Sequence, residues 1–444
     1  MAICYNVGYM KILFISTEFE EQARGITGII KAMISAAKED GHEVGILAGY
    51  PHAYQRKSEL LDLKIEHIYL QHYLETGKKH IFPAGMRGRK TQLKIIAGRH
   101  YLKANEILVN HDLIQRKTNL ANKLDYVIRI PYVYHFINHG LGAISKNTIK
   151  KAIKKHGVDL VITGAPMDIT KEDVFPAKLV QFVHDTMPLD MLETPADNQT
   201  PERFAKQFFS AAAGSDMIFT NSLDTLSKVH EVNPEVPSKV LFGIASSKAD
   251  KFKDTSYLTR KKLKKDNFLL FISVLEKRKN ISTLIDAYVK VYDKIKMPLV
   301  IVGGKGFGYE DIQAHYKDLP KDIQKDIIFT GFVSETDKYA LLNNARAFVF
   351  PSLYEGIGLP IIEAFGSNLP VLTSNRGALP EAGGKAAYYI EDPYDTDEIA
   401  DGIMKIATDE ELRTELRTHM KEQSQKFTPE KFNERFKEAI KTLQ

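Results

Sequence analysis

Residues 350–363 read Phe350-Pro-Ser-Leu-Tyr-Glu-Gly-Ile-Gly-Leu-Pro-Ile-Ile-Glu363, and they contain the strongest structural signal in the sequence. An apolar strand, Ala347–Phe350, leads into a Gly-x-Gly-x-Pro turn that lies between two carboxylates, Glu355 and Glu363. Pro360 suits the first turn of a helix, where its missing N–H leaves no hydrogen bond unmade. The pattern therefore predicts a strand, a tight turn and a helix whose first turn contains Glu363.

The turn has the properties of an anion-binding site. The free N–H groups and the positive dipole end of a helix attract anions, and glycine lets a ligand approach the backbone closely. A carboxylate on each side can accept hydrogen bonds from hydroxyls. The arrangement suits a nucleotide sugar, which carries phosphates between two sets of hydroxyls. The alternative is an ordinary tight turn with two solvated glutamates that favour the helix start.

Strand-like runs alternate with helical patterns along the whole chain, which predicts an α/β protein with parallel sheets. The predicted strands are Lys11–Thr17, Glu43–Ala48, Glu66–Leu70, Leu160–Thr163, Lys178–Val183, Met217–Thr220, Lys239–Phe242, Phe268–Val274, Leu299–Val302, Ile327–Thr330, Ala347–Phe350, Val371–Ser374 and Ala386–Ile390.

The length of 444 residues favours two domains. The charged stretch 246–266 is poor in apolar residues and is predicted as the linker between two Rossmann-like domains, 10–245 and 267–444, which meet at a cleft. Residues 1–9 are predicted to be an N-terminal extension. The last helix begins at Thr428-Pro429 and carries one apolar stripe, so it either caps its own domain or crosses back to the first.

The composition is that of a soluble globular protein, with 43% hydrophobic and 26% charged residues. The sequence contains no apolar run long enough to cross a bilayer and no signal-peptide pattern at its start. Its single cysteine, Cys4, lies in the predicted extension. Disulfides and cysteine catalysis are therefore excluded, and a cytoplasmic location is predicted.

Positive charge is concentrated in residues 77–156, which contain 17 lysines and arginines but only three acidic residues. Such a segment attracts a polyanion or an anionic membrane surface, where each cation contributes about 1 kcal/mol. We therefore expect a peripheral association with the inner face of the membrane. The alternative is a solvated, lysine-rich surface. No recognition motif for nucleic acid is present.

Two cations follow the first strand of the second domain. Arg278 and Lys279 lie in the loop between that strand and the next helix, where they can hold a diphosphate through charge-assisted hydrogen bonds. Cations at a helix start oppose the helix dipole, so their presence there favours a function. The alternative is a pair of solvated side chains.

Two motifs follow strands of the first domain, at the edge where open α/β sheets bind ligands. The segment Arg24-Gly-Ile-Thr-Gly28 is similar to a shortened phosphate-binding loop, although such a segment is often only a turn. The pair His184-Asp185 ends a strand at the predicted cleft. A histidine there is a candidate catalytic residue, and its alternative is a purely structural role.

Together these motifs resemble the GT-B glycosyltransferases of the large family 4 of retaining enzymes, whose mark is a Glu-x7-Glu motif. The string from Leu275 to Ile281 is similar to one common in bacterial mannosyltransferases and in O-antigen or capsule enzymes. The collinear matches are Gly25 and Gly28, His184-Asp185, Asp216–Ser222, Arg278–Asn280, Val302–Gly304, Gly331–Val333, Glu355 with Glu363, and Ser374–Glu381. The resemblance implies a GT-B fold with two Rossmann-like domains whose parallel sheets face a central cleft.

The resemblance also implies roles for the central motif. Glu363 would bind the ribose hydroxyls of the donor, and Glu355 would contact sugar hydroxyls near C3 and C4. The donor-binding residues of the turn, which would face the sugar and the distal phosphate, are Gly356, Ile357, Gly358 and Leu359.

Arg278 and Lys279 would neutralise the leaving diphosphate, and His184 would lie against the donor sugar. Many members of the family have an arginine where this chain has Val274, so Arg278 would have to substitute for it. Further donor-binding roles are implied for Gly25, Gly28, Asp185 and Val333.

The chemistry implied is metal-independent and needs no cofactor. Cations and a helix N-terminus can stabilise the charge that develops on a leaving diphosphate. The only Asp-x-Asp triplet, Asp395-Thr-Asp397, is predicted to cap the following helix instead of binding a metal. Retention would proceed by attack from the face that the leaving group vacates, with a phosphate oxygen taking the acceptor proton.

The predicted function is retaining transfer of a hexose from GDP-mannose or a UDP-hexose to a glycan or lipid-linked acceptor in surface polysaccharide synthesis. One alternative is a nucleotide-sugar 2-epimerase of the same architecture. The other is a non-catalytic protein that binds nucleotides or polyanions.

Overall fold

The structure is a computed structural model that describes residues 9–16, 26–48, 105–107, 123–130, 142–191, 201–245, 251–252 and 254–444. Within these residues the chain forms two β-sheets, each with helices packed against it. The predicted strand Glu66–Leu70, residues 1–8 of the predicted extension and most of the basic segment 77–156 lie outside the described residues.

The first sheet has the strand order β3-β4-β2-β1-β5-β6-β7-β8. All neighbours are parallel except β3 and β4, which pair antiparallel. The strands are β1 Lys11–Ile15, β2 Glu43–Ala48, β3 Asn105–Ile107, β4 Tyr126–Arg129, β5 Leu160–Thr163, β6 Lys178–Val183, β7 Met217–Thr220 and β8 Ser238–Val240. Helices are Ile26–Glu39, Gly142–His156, Lys171–Val174, Met187–Asp190, Pro201–Gly214 and Leu223–Val232.

The second sheet is parallel, with the order β11-β10-β9-β12-β13-β14. Its strands are β9 Leu269–Ile272, β10 Leu299–Val302, β11 Ile327–Gly331, β12 Ala347–Phe350, β13 Val371–Ser374 and β14 Ala387–Ile390. Its helices are Ser256–Arg260, Ile281–Ile295, Tyr309–Lys317, Lys321–Gln324, Glu335–Leu342, Leu359–Gly366, Leu379–Gly383, Thr396–Thr408 and Glu410–Gln425, and the last helix of the chain is Pro429–Lys441.

The topology of the second sheet positions the site. The chain runs outward from β9 to β11 and then returns to place β12 on the other side of β9. Ligands of open α/β sheets bind at the carboxyl ends of the strands where the order reverses. The loops that follow β9 and β12 meet there, and they contain Arg278, Lys279 and Glu355.

The last helix crosses back to the first domain. Phe432, Phe436 and Ile440 are buried in the core of the first sheet, and the Phe436 ring lies 6.0 Å from the Phe219 ring, centroid to centroid. The apolar stripe seen in the sequence is the buried face. It could be read from the 3.6-residue period, whereas the sheet against which it packs could not.

The two-sheet α/β architecture agrees with the prediction. The short strands β3 and β4 were not predicted. Within residues 254–266 of the predicted linker, Tyr257, Leu258 and Leu263 pack into the core of the second sheet. The domain boundaries themselves stay a prediction. Among the described residues, no helix is both long and apolar enough to span a membrane.

Candidate active site at the carboxyl ends of β9 and β12

The turn after β12 is shaped by one glycine in the left-handed conformation. Gly358, with φ of 79°, is the N-cap of the helix Leu359–Gly366, and no side chain in the described part of the chain caps this helix. A residue with a Cβ is strained at such an angle, so glycine is needed there. Pro360 occupies the first turn as predicted, because the N–H that it lacks would have no partner in the helix.

The amides of this turn have no acceptor among the described residues. Four consecutive N–H groups donate to no acceptor in the part of the chain that the structure describes; they belong to Gly356, Ile357, Gly358 and Leu359. Ile357 and Gly358 are buried. Buried amides are nearly always paired with protein, water or ligand, so this group is suited to receive an anion.

Glu355 is at the centre of a buried ionic cluster, with only 8% of its surface exposed. Its carboxylate contacts Lys279 Nζ, lies 3.1 Å from Arg278 Nη1 and accepts a hydrogen bond of 2.8 Å from Ser352 Oγ. Burial alone would raise the pKa of Glu355. The charges of Lys279 and Arg278, with the hydrogen bonds, outweigh burial and lower that pKa to about 2. Glu355 is therefore ionised at neutral pH.

The two cations come from the short 3-10 turn Lys277–Lys279 that follows β9. Lys279 is 4% exposed, and burial lowers its pKa. Arg278 also pairs with Glu276, whose Oε1 lies 2.6 Å from Arg278 Nε. Burial alone would lower the pKa of Arg278, but the carboxylates of Glu355 and Glu276 outweigh burial and raise it. The formal charges of Arg278, Lys279, Glu355 and Glu276 cancel, so the site is neutral as a unit.

The prediction that Glu363 lies in the first turn of the helix is wrong by one residue. Because Gly358 is the N-cap, Glu363 is the fifth residue of the helix, and its first turn contains no acidic residue. Glu363 Oε1 accepts a hydrogen bond of 2.8 Å from Lys338 Nζ, which belongs to the helix Glu335–Leu342. The Glu363 carboxylate is therefore paired with the neighbouring helix Glu335–Leu342 and is partly exposed.

His184 follows β6 and is buried and neutral. Its Nε2 lies 2.7 Å from the carbonyl oxygen of Gly164, and its ring stacks on Phe182 at 4.3 Å between centroids. Burial lowers the pKa of His184 to about 4, although the hydrogen bond to Gly164 opposes this. A carbonyl oxygen only accepts, so Nε2 carries the proton and Nδ1 retains its lone pair. His184 can accept a hydrogen bond at Nδ1 but is not a cation at neutral pH.

The lowered pKa of His184 predicts a pH dependence of stability. Because the folded-state pKa lies below that of the unfolded chain, the unfolded state binds the extra proton between about pH 6.5 and 4. As the pH is lowered from 6.5 to 4, the free energy of unfolding should decrease by roughly 3 kcal/mol. Urea unfolding at several pH values should show a shallower decline for His184→Phe. An equal dependence of the free energy of unfolding on pH in the two proteins would contradict a lowered pKa for His184.

Gly356 brings the two domains into contact. A Cβ on Gly356 would lie 2.7 Å from the carbonyl oxygen of His184 and 2.8 Å from Asp185 Cβ. Burial raises the pKa of Asp185, although its Oδ1 accepts the N–H of Met187. The turn that carries the free amides therefore packs directly against the His184-Asp185 pair of the first domain.

The remaining predicted residues are placed as follows. Gly28 lies in the first turn of Ile26–Glu39, and no described atom lies within 4 Å of where its Cβ would be. Gly25 lies outside the described residues. Val333 follows β11 and packs against the edge of the second core, while Val274, at the end of β9, is 49% exposed. The structure does not bring Val333 into contact with the Glu355 cluster in its described part.

Sequence reasoning gave no role to four polar residues of the site: Ser352, Tyr354, Glu276 and Glu381. Ser352 and Tyr354 stand inside the central motif, and Glu276 stands beside Arg278, so their proximity in sequence was a usable signal. Glu381 lies 26 residues after Glu355, and only the fold shows that it reaches the first domain. No group of three or more His, Cys, Asp or Glu side chains in the described ranges is placed to hold a metal ion.

Comparison with solved structures defines the fold as GT-B. The structure of HepE from Anabaena, in complex with UDP and glucose, superposes with a TM-score of 0.61 and 16% identity, covering 98% of this chain and 100% of that chain. Residues 257–427 match the family described as Glycosyl transferases group 1. The GT-B prediction is confirmed, and these findings support a glycosyltransferase.

The chain resembles bacterial mannosyltransferases. The serotype-specific mannosyltransferase WbdA of Escherichia coli is 29% identical over 326 residues, which cover 66% of this chain and 38% of that protein. The O-antigen chain mannosyltransferase B of the same organism is 36% identical over 149 residues, covering 33% of this chain and 38% of that protein. The chain thus spans well under half the length of the first curated relatives it matches.

Proposed function

We propose that this protein transfers a hexose, with retention, from a nucleotide-diphosphate sugar to a glycan or lipid-linked acceptor in surface polysaccharide synthesis. The observation that carries the proposal is the set of free amides at Gly356–Leu359, beside the cluster of Glu355, Arg278 and Lys279. GDP-mannose is the preferred donor because the matched relatives are named mannosyltransferases. A UDP-hexose is the other candidate.

The site chemistry follows from charge. Breaking the bond between sugar and phosphate places negative charge on the diphosphate, and preorganised donors stabilise that charge most in the transition state. The amides, Arg278 and Lys279 would bind the diphosphate. Its approach would draw the two cations partly away from Glu355, whose carboxylate would then accept hydrogen bonds from sugar hydroxyls. His184 would accept another at Nδ1.

Retention would require the acceptor to attack from the face that the diphosphate leaves, with a phosphate oxygen taking its proton. We further propose that no metal takes part. Incubating the purified protein with GDP-mannose or UDP-glucose and a lipid-linked glycan tests the whole proposal. We expect release of nucleoside diphosphate, an anomeric proton signal of retained configuration and activity that survives EDTA. An epimerised sugar formed without acceptor would support the alternative enzyme class.

Membrane attachment is also proposed. The described helix Gly142–His156, at the end of the basic segment, exposes Lys150, Lys151, Lys154 and Lys155. Such a surface is attracted to acidic lipid. The protein should float with liposomes that contain anionic lipid and remain behind with neutral ones. Equal recovery with both would favour an acceptor that is free in solution.

Gly28→Ala separates a structural from a ligand-binding role for this glycine. Alanine in a helix is about 0.5–1 kcal/mol more favourable than glycine, and here its Cβ meets open space. We expect the melting temperature to rise slightly while the donor KM increases, because the methyl group would occupy the space that a phosphate enters. A more stable enzyme with an unchanged KM would remove Gly28 from the donor site.

A further inference from the structure

Tyr354 joins the site loop to the first domain. Its hydroxyl lies 3.2 Å from Thr186 Oγ1 and 3.3 Å from Lys228 Nζ, and that ammonium also lies 4.6 Å from the centroid of the Tyr354 ring. Lys228 is in turn held by Asp190 at 2.6 Å. The phenol is thus buried among first-domain side chains, while its own carbonyl oxygen accepts a hydrogen bond of 2.9 Å from Arg278 Nη1.

Glu381 makes the second connection. Its two carboxylate oxygens accept the backbone N–H groups of Leu223 and Asp224, at 2.6 and 2.7 Å. These are the first two residues of the helix Leu223–Val232, whose next amide, that of Thr225, is capped by Ser222 of the same helix. A carboxylate from one domain therefore caps a helix of the other, where the helix dipole strengthens the contact.

Both connections lead back to Glu355. Tyr354 precedes it in the chain, and the turn that carries Glu381 is tied to it because the N–H of Ala378 donates to the Glu355 carbonyl oxygen at 3.1 Å. The side chains of Tyr354 and Glu381 make their hydrogen bonds with residues of the first domain and not with the free amides. Their positions fix how Glu355 and the turn after it meet His184 and Asp185.

We propose that Tyr354 and Glu381 are positioning residues, a two-point clasp that holds the domains closed and sets the Glu355 loop against His184. This inference rests on the proposed function for its kinetic consequences. Without the clasp, donor would still bind the second domain, but the closed arrangement would be populated less often. A displacement of about 1 Å at a reacting centre can reduce the rate on the order of a hundredfold.

The test compares Tyr354→Phe and Glu381→Gln with two matched controls within the second domain. Glu398 also accepts two backbone N–H groups, those of Glu391 and Asp392, at 2.7 and 2.8 Å, so Glu398→Gln makes the same chemical change away from the domain contact. The Tyr388 hydroxyl bonds to Lys405, so Tyr388→Phe is the control for the phenol.

For the two clasp variants we expect kcat to fall by about tenfold or more, and the affinity for nucleoside diphosphate to stay within about twofold of wild type. The radius of gyration from small-angle X-ray scattering should increase, and the amides of Leu223 and Asp224 should exchange faster in Glu381→Gln. The controls should match wild type in all four measurements.

An unchanged kcat and radius of gyration in both clasp variants would overturn the proposal, as would equal losses in the controls. A wild-type protein without transfer activity would overturn the proposed function instead. Scattering and amide exchange would then test the clasp alone, since neither measurement needs turnover.

Discussion

Glu355→Ala should abolish sugar transfer, with a loss of at least on the order of 10²–10³ in kcat/KM. The substitution removes the carboxylate expected to hold the donor sugar and also leaves Lys279 and Arg278 buried without their shared partner. Breaking a buried ion pair from one side typically costs about 3–5 kcal/mol. The variant should therefore be less stable as well as inactive, as measured by urea unfolding and nucleotide release.

A double variant separates the two effects. In Glu355→Gln with Lys279→Met, one charge of each sign is removed, so much of the stability should return while transfer stays absent. Glu434→Ala, which removes an exposed partner of Lys431 on the last helix, controls for the loss of any carboxylate and should change neither property. A stable Glu355→Ala protein with wild-type turnover would mean that the site has been assigned wrongly.

Gly356→Ala should have the second largest effect. The new Cβ would lie 2.7 Å from a backbone carbonyl oxygen of His184, which cannot rotate away as a side chain can. The domains must then separate at the place where the free amides face the first domain. We expect kcat/KM to fall on the order of a hundredfold, with the melting temperature little changed because each sheet keeps its own core.

Gly304→Ala is the matched control for this prediction. It lies in the loop after β10 of the same sheet, and no described atom lies within 4 Å of where its Cβ would be. It should retain nearly full activity. If Gly356→Ala transfers sugar as fast as Gly304→Ala, the close contact between Gly356 and His184 is not part of the active arrangement.

Much of the second domain could be predicted from the sequence because its strands are largely continuous apolar runs that end at glycine, proline or polar residues. Buried parallel strands have this pattern. The local structure of the central motif could also be predicted, because Gly-x-Gly-x-Pro is compatible with few backbone conformations. The error at Glu363 arose because the left-handed Gly358 fixes the helix start, and a proline pattern alone leaves that start uncertain by a residue or two.

The partners of charged residues were harder to predict than the residues themselves. Lys279 and Glu355 are 76 residues apart, and they meet because β9 and β12 are neighbours in the sheet. The sequence analysis identified Lys279 and Glu355 as site residues, but it predicted that Lys279 and Arg278 bind a phosphate and gave them no protein partner. The structure shows both cations paired with Glu355, and Arg278 also paired with Glu276, so phosphate must compete with these carboxylates. The capping of a first-domain helix by Glu381 likewise depends on how the domains dock.

A crystal structure of the protein with the nucleoside diphosphate that it releases would show directly where the diphosphate binds. The proposed diphosphate site requires distal phosphate oxygens about 2.9 Å from the amides of Ile357, Gly358 and Leu359, with Arg278 and Lys279 turned toward them. A diphosphate bound elsewhere, with those amides still unoccupied and Glu355 still holding both cations, would contradict it.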